Sequence, residues 1–168
     1  GDIGCRSEVG VGSSFWIRVP VGLKKISYEE DSAVETVVAS LKIGQGSVLL
    51  VEDELVNREL GAVLLKSIGY EVVCARDGFE ALEIYKTRLF DIVLLDIRMP
   101  GMDGFETAIK LRQLDDPGKQ PPIVAVSAHV TPRDKEQCLE VGINGSLRKP
   151  LTLQKLSETL EKWLRPNS

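Results

Sequence analysis

The chain has no CxxC pair, no dense Lys/Arg cluster and no apolar run long enough to span a bilayer, and each absence removes a class of function. Its three cysteines, Cys5, Cys74 and Cys138, are odd in number and far apart. That excludes a disulfide framework and a thiolate zinc site and leaves reduced thiols in a cytosolic domain. With no basic patch and a formal net charge of -4, nucleic-acid binding is not expected. No signal peptide is present, and a spanning helix needs ~20 apolar residues. This stretch is therefore expected to be cytoplasmic, with no membrane contact. It opens at Gly1 rather than Met, as a fragment would, and a parent protein anchored upstream is compatible with that.

What is present suits one compact domain with an appendage. Hydrophobic residues make up 43% of the 168, enough for a packed core. Residues 1–20 read as a β-hairpin, because Phe15, Ile17 and Val19 alternate with Ser14, Trp16 and Arg18 around a Gly10-Val11-Gly12 turn. Two strands alone are marginal in water, so a larger sheet is expected to complete them. Residues 21–46 read as a linker, with helical spacing at Val34, Val37, Val38 and Leu41.

From Ser47 to residue 165 the pattern changes to strand followed by helix, five times over. Apolar runs at Val48–Val51, Tyr70–Ala75, Asp91–Asp96, Ile123–Ser127 and Gly145–Leu147 predict the strands. Between them, Val56, Leu60, Val63, Leu64 and Ile68 share one helical face, and Leu82, Tyr85 and Leu89 mark a second helix. Phe105, Ala108, Ile109 and Arg112 suggest a third, residues 132–141 a fourth, and Thr152 caps a fifth carrying Leu153, Leu156, Leu160 and Leu164. Strands that are apolar without alternation belong to a parallel sheet covered on both faces. Right-handed crossovers then give an α/β, doubly wound five-stranded sheet, with a site expected at the C-terminal strand ends.

Those ends collect Glu52, Asp53, Asp96, Ser127 and Lys149. Carboxylates brought that close repel one another and call for protons or a cation. Hard oxygen donors with room for water and phosphate favour Mg²⁺. Asp96 can then act as nucleophile and form an aspartyl phosphate, with Lys149 offsetting phosphoryl charge and Ser127 donating a hydrogen bond. Singly, each residue is as well explained as a cap, a loop acid or a solvated lysine. Their convergence on one edge is what those readings fail to explain.

At these positions the chain resembles the receiver domain of two-component response regulators. VLLVEDE, DIVLLDIRMPGMDG, IVAVSAH and SLRKP match that family's motifs in order and spacing, over about residues 47–164. The resemblance implies a flavodoxin-like (βα)5 fold in which Asp96 is phosphorylated from a phosphohistidine. It implies Mg²⁺ bound directly by Asp53, Asp96 and the main-chain oxygen of Arg98, with Glu52 acting through water. It further implies contact of Lys149 with the phosphoryl group, a cis bond to Pro150, a switch hydroxyl at Ser127 followed by the small Ala128, and a loop shaped by Met99-Pro100-Gly101 and Gly104. Two positions depart from the pattern: Glu52 stands where many members carry Asp, and Ser146 where most carry the Tyr or Phe that swings inward on phosphorylation. Arg98 and His129 are expected at the mouth of the site, setting phosphoryl lifetime.

GDIGCRSEVGVGSSFWIRVPV resembles the last two strands of the histidine-kinase ATP-binding domain, which implies a hybrid histidine kinase as parent. The ATP-binding helix and lid would lie upstream of Gly1, so neither ATP binding nor kinase activity is expected of this fragment. Phe15, Trp16 and Ile17 would be exposed unless another surface covers them. The expected role is a phosphorelay receiver that passes its phosphoryl group to a histidine phosphotransfer protein or regulates the parent kinase. No output domain is expected after Ser168, in keeping with a relay. The runner-up is a receiver fold that binds partners independently of phosphorylation. An Asp-nucleophile phosphatase of the haloacid-dehalogenase type needs a second Asp where Arg98 stands. A flavodoxin-like cofactor site would not place Glu52-Asp53-Glu54 where phosphate must sit.

Overall fold

A computed structural model describes residues 2–8, 12–18, 46–115, 119–128 and 131–164. The chain divides into two compact units, Gly1–Glu35 and Thr36–Ser168. The Gly10-Val11 part of the turn, the linker helix at 34–41 and His129 lie outside the described residues.

In the first unit β1 (Asp2–Glu8) pairs antiparallel with β2 (Gly12–Arg18). Strand alternation puts Ile3, Cys5, Phe15 and Ile17 on one face as the cross-strand pairs Ile3–Ile17 and Cys5–Phe15. On the other face the Trp16 ring lies against Gly4 and takes the space that a Cβ would need. Phe15 and Ile17 are more than two-thirds exposed and Trp16 about half, the exposure expected of these three from the sequence, and Ile3 is exposed beside them.

The second unit contains β3 (Ser47–Val51), α1 (Leu55–Ser67), β4 (Glu71–Ala75), α2 (Gly78–Tyr85), β5 (Ile92–Asp96), α3 (Gly104–Leu114), β6 (Ile123–Ser127), α4 (Pro132–Glu140), β7 (Gly145–Arg148) and α5 (Leu153–Leu164). The five strands are parallel in the order β4-β3-β5-β6-β7, the doubly wound arrangement the sequence predicts. Alternate residues of each strand feed two separate cores. Leu49, Val51, Val93, Leu95 and Ala125 pack with Ala81 of α2 and Phe105, Ala108 and Leu111 of α3. Val48, Leu50, Leu94, Val124 and Val126 pack with Leu65 of α1 and with Leu156 and Leu160 of α5. Burial on both faces is why these strands do not alternate with polar residues.

Two helices differ from the sequence reading. On α1 the expected face is split: Val56, Leu60 and Val63 face solvent, Leu64 and Ile68 pack inward, and Gly61, Ala62 and Leu65 face the sheet. The helix sits too close for large residues: a Cβ on Gly61 would meet Leu50 at 2.9 Å and Leu151 at 3.2 Å. α2 ends at Tyr85, so Leu89 lies beyond it and is 74% exposed.

The loops after the strands are closed by caps. Asp77 and Asp103 accept from the backbone of Glu80 and Glu106 at the starts of α2 and α3. Thr131 and Asp134 form a reciprocal capping box on α4, with Pro132 in its first turn.

Candidate functional site

The strand order reverses between β3 and β5, whose following helices leave for opposite faces and open a crevice at their C-terminal ends. Glu52 and Asp53 follow β3, and Asp96 closes β5. Their carboxylates offer oxygens that all lie within 4.8 Å of one another. Ser127 ends β6 and is buried, and Lys149 follows β7 with its amide bonded to the Ser127 carbonyl (2.9 Å). The Lys149–Pro150 bond is cis, in line with the sequence reading. The cleft encloses about 430 Å³ and is lined by these five residues together with Arg98 and Thr131.

Lys149 Nζ donates to Asp96 Oδ2 at 2.6 Å and to Glu52 Oε1 at 2.8 Å. It also lies 2.6 Å from Glu52 Oε2, which has no other polar partner among the described residues. Asn57 reaches Glu52 Oε1 at 3.2 Å, and the Arg98 amide donates to Asp96 Oδ1 at 2.9 Å. One ammonium therefore serves two buried carboxylates, with a third acid at the rim. Burial pushes the Glu52 carboxyl up, opposed by its hydrogen bond from Lys149 and reinforced by the charge of Asp96. Burial alone would lower the Lys149 ammonium, but its hydrogen bonds to Asp96 and then Glu52 hold it above its ordinary value.

This donor set fits a hard divalent cation. All three groups are carboxylates, their charge exceeds that of the one ammonium beside them, and that ammonium is the sole polar partner of the buried Glu52 Oε2 among the described residues.

The loop after Asp96 is shaped as its glycines require, for two different reasons. Gly101 has φ +80°, open to glycine. At Gly104 the constraint is proximity, since a Cβ would stand 2.3 Å from the Asp96 carbonyl oxygen. Arg98 presents its amide to Asp96, while its guanidinium donates to Asp134 Oδ1 at 3.4 Å. Ser146 is exposed on β7.

Three contributors escape sequence reading. Arg58 donates to the carbonyls of Glu52 (2.8 Å) and Asp53 (3.0 Å) and so holds the acid-bearing turn. Asn57 steadies the Glu52 carboxylate, and Asp134 receives Arg98. Only the proximity of Asn57 and Arg58 to the acids in the chain hinted at any of this. A larger cavity, about 810 Å³, lies at the opposite sheet edge, where Tyr85 and Arg112 both donate to Asp115 and no metal-type acid cluster forms among the described residues.

The profile of the response regulator receiver domain matches residues 48–161. The chain is 37% identical over 161 residues to the sensor histidine kinase AruS of Pseudomonas aeruginosa, covering 95% of this chain and 15% of that protein. It is 33% identical to the sensor protein EvgS of Escherichia coli K12, covering 96% of this chain and 13% of that one. It thus spans about one-seventh of the length of these relatives. Among solved structures, the receiver domain of sensor histidine kinase PA1611 from P. aeruginosa, with a magnesium ion coordinated in its active-site cleft, superposes with TM-score 0.65 at 33% identity. That match covers 72% of this chain and 98% of that one. The chemotaxis protein CheY4 of Vibrio cholerae gives TM-score 0.67 at 32% identity, covering 71% and 99%.

Proposed function

The chain belongs to the response regulator receiver domain family, and on that premise we propose that Asp96 accepts a phosphoryl group from a phosphohistidine in a Mg²⁺-dependent transfer. An Asp96 carboxylate oxygen attacks phosphorus, an O–P bond forms, and the N–P bond to the donor imidazole breaks. The imidazole leaves with the electron pair and takes up a proton. Glu52, Asp53 and Asp96 would hold the cation, which supplies neutralisation of the clustered acids and of the incoming phosphoryl charge. Lys149 already touches the nucleophile and offsets negative charge as it builds on the transferred group. The Arg98 amide orients Asp96, and Ser127 supplies a hydroxyl at the cleft wall.

The single observation that carries this reading is the Lys149 ammonium, 2.6 Å from Asp96 Oδ2 inside a three-acid cluster. Incubation with acetyl phosphate, read by intact mass, tests it. Wild type should gain one phosphoryl group only with Mg²⁺ present, and Asp96→Asn should gain none. Equal gain by Asp96→Asn would move the acceptor elsewhere.

The partners proposed are a histidine-bearing kinase domain, in the same parent chain, and a histidine phosphotransfer protein that takes the group onward. Two features support this. The 161-residue alignment to a sensor histidine kinase runs beyond the receiver profile, in keeping with residues 1–20 as the closing hairpin of a kinase ATP-binding domain. The solvent-facing stripe Val56, Leu60 and Val63 begins beside the cleft mouth and offers an apolar seat for a helix carrying the reacting histidine.

A further inference from the structure

The Arg98 guanidinium has a second anion to choose from, and that choice connects the acceptor aspartate to α4. In this structure it pairs with Asp134 (3.4 Å), the residue that completes the capping box of α4. Asp134 Oδ2 accepts from the Thr131 amide (2.9 Å) and hydroxyl (2.8 Å), so Oδ1 is the oxygen turned to Arg98. Arg98 lies two residues from Asp96, and its own amide is bonded to the Asp96 carboxylate. Its side chain is 72% exposed, so it can turn, whereas that of Asp134 is held at 10%. Thr131, at the start of α4, lines the same cleft as Asp96.

Resting on the proposed acceptance at Asp96, we propose that Arg98 is a two-position link. It is paired with Asp134 when Asp96 is unmodified and is drawn to the phosphoryl group when Asp96 carries one, which loosens the first turn of α4. A phosphoryl group brings close to two negative charges and three strong acceptor oxygens, a better partner for a guanidinium than one carboxylate at 3.4 Å. The pair is partly exposed, so it holds weakly and can be exchanged. Such a link would give this chain a route from site to surface that needs no aromatic side chain where Ser146 stands.

The test is hydrogen exchange across residues 131–138, with intact mass read on the same samples. Without phosphorylation, Arg98→Ala should exchange roughly two- to fivefold faster than wild type there, the size of one exposed ion pair. Asp134→Asn should do the same, and the double variant should add nothing further. Phosphorylated wild type should match unphosphorylated Arg98→Ala, and phosphorylation of Arg98→Ala should change α4 no more. Unchanged exchange in unmodified Arg98→Ala, or additive effects in the double variant, would overturn the link whatever Asp96 does. Mass gain in wild type with no change at α4 overturns the switch alone. Absence of mass gain overturns the proposed function, and the switch with it.

Discussion

The two edges of the parallel sheet each bury a charged network, and the networks are built to opposite standards. At the N-terminal edge, Arg112 donates five hydrogen bonds: to Asp115, to the Pro121 carbonyl, twice to the Gly142 carbonyl and to Asn144. Asp115 also receives Tyr85, whose phenol is pushed up by burial and then by that bond. One cation meets one acid, and neutral carbonyls take the remaining donors. At the C-terminal edge one lysine meets two buried acids with a third close by, so negative charge exceeds positive. A network serving stability closes its charge balance, while one serving chemistry leaves it open for what it is to bind.

Removing the balanced cation should have the largest effect. Arg112→Ala would leave Asp115 buried without its ion pair and two carbonyls without donors. A loss of about 3–5 kcal/mol in urea unfolding is expected, as for breaking a buried pair from one side. A loss under about 1 kcal/mol would show that the far edge is no better satisfied than the near one. The unbalanced edge should instead respond to added cation. At a Mg²⁺ concentration 100 times its dissociation constant, stability should rise by about 2.7 kcal/mol. Calorimetry of Asp53→Asn should show most of that rise gone, and a full rise there would remove Asp53 from the site.

A smaller effect is expected beside the cleft. Leu60→Asp on α1 should slow transfer from a phosphohistidine donor about tenfold, equivalent to roughly 1.4 kcal/mol, and leave acetyl phosphate uptake unchanged. Equal slowing with both donors would mean that the helix itself had been disturbed.

The smallest effect is a pH slope. The Glu52 carboxyl is raised in the folded chain, so the folded state holds its proton more firmly than the unfolded one. Its contribution is complete below the ordinary value of 4.5 and is lost as pH rises through the raised one. Without Mg²⁺, wild type should therefore lose stability relative to Glu52→Gln as pH climbs from 4.5 towards neutrality. Parallel pH profiles would contradict the burial penalty. For Lys149, also raised, the corresponding loss falls above 10.5.

Most of the fold was legible because its signal is local. Runs such as Val48–Val51, Ile92–Asp96 and Ile123–Ser127 carry strand character without reference to anything distant, and acids at their ends declare where a site must lie. The outward stripe of α1 was not legible, because that helix has apolar residues on two sides. Only the close approach of Gly61 to Leu50 decides which side goes in. The cap that the sequence places at Thr152 was legible too, its hydroxyl accepting from the Lys155 amide at 3.4 Å.

By itself, then, the sequence determined the strand and helix order, the parallel sheet and the acids that meet at its C-terminal edge. These depend on periodicity and on the handedness of the polypeptide. Tertiary structure alone decided that Lys149 reaches Glu52 across 97 residues and Asp96 across 53, and that Arg98 turns to Asp134. Such contacts arise where separate crossovers bring their loops together. No local pattern encodes which of several nearby charges a flexible side chain will choose.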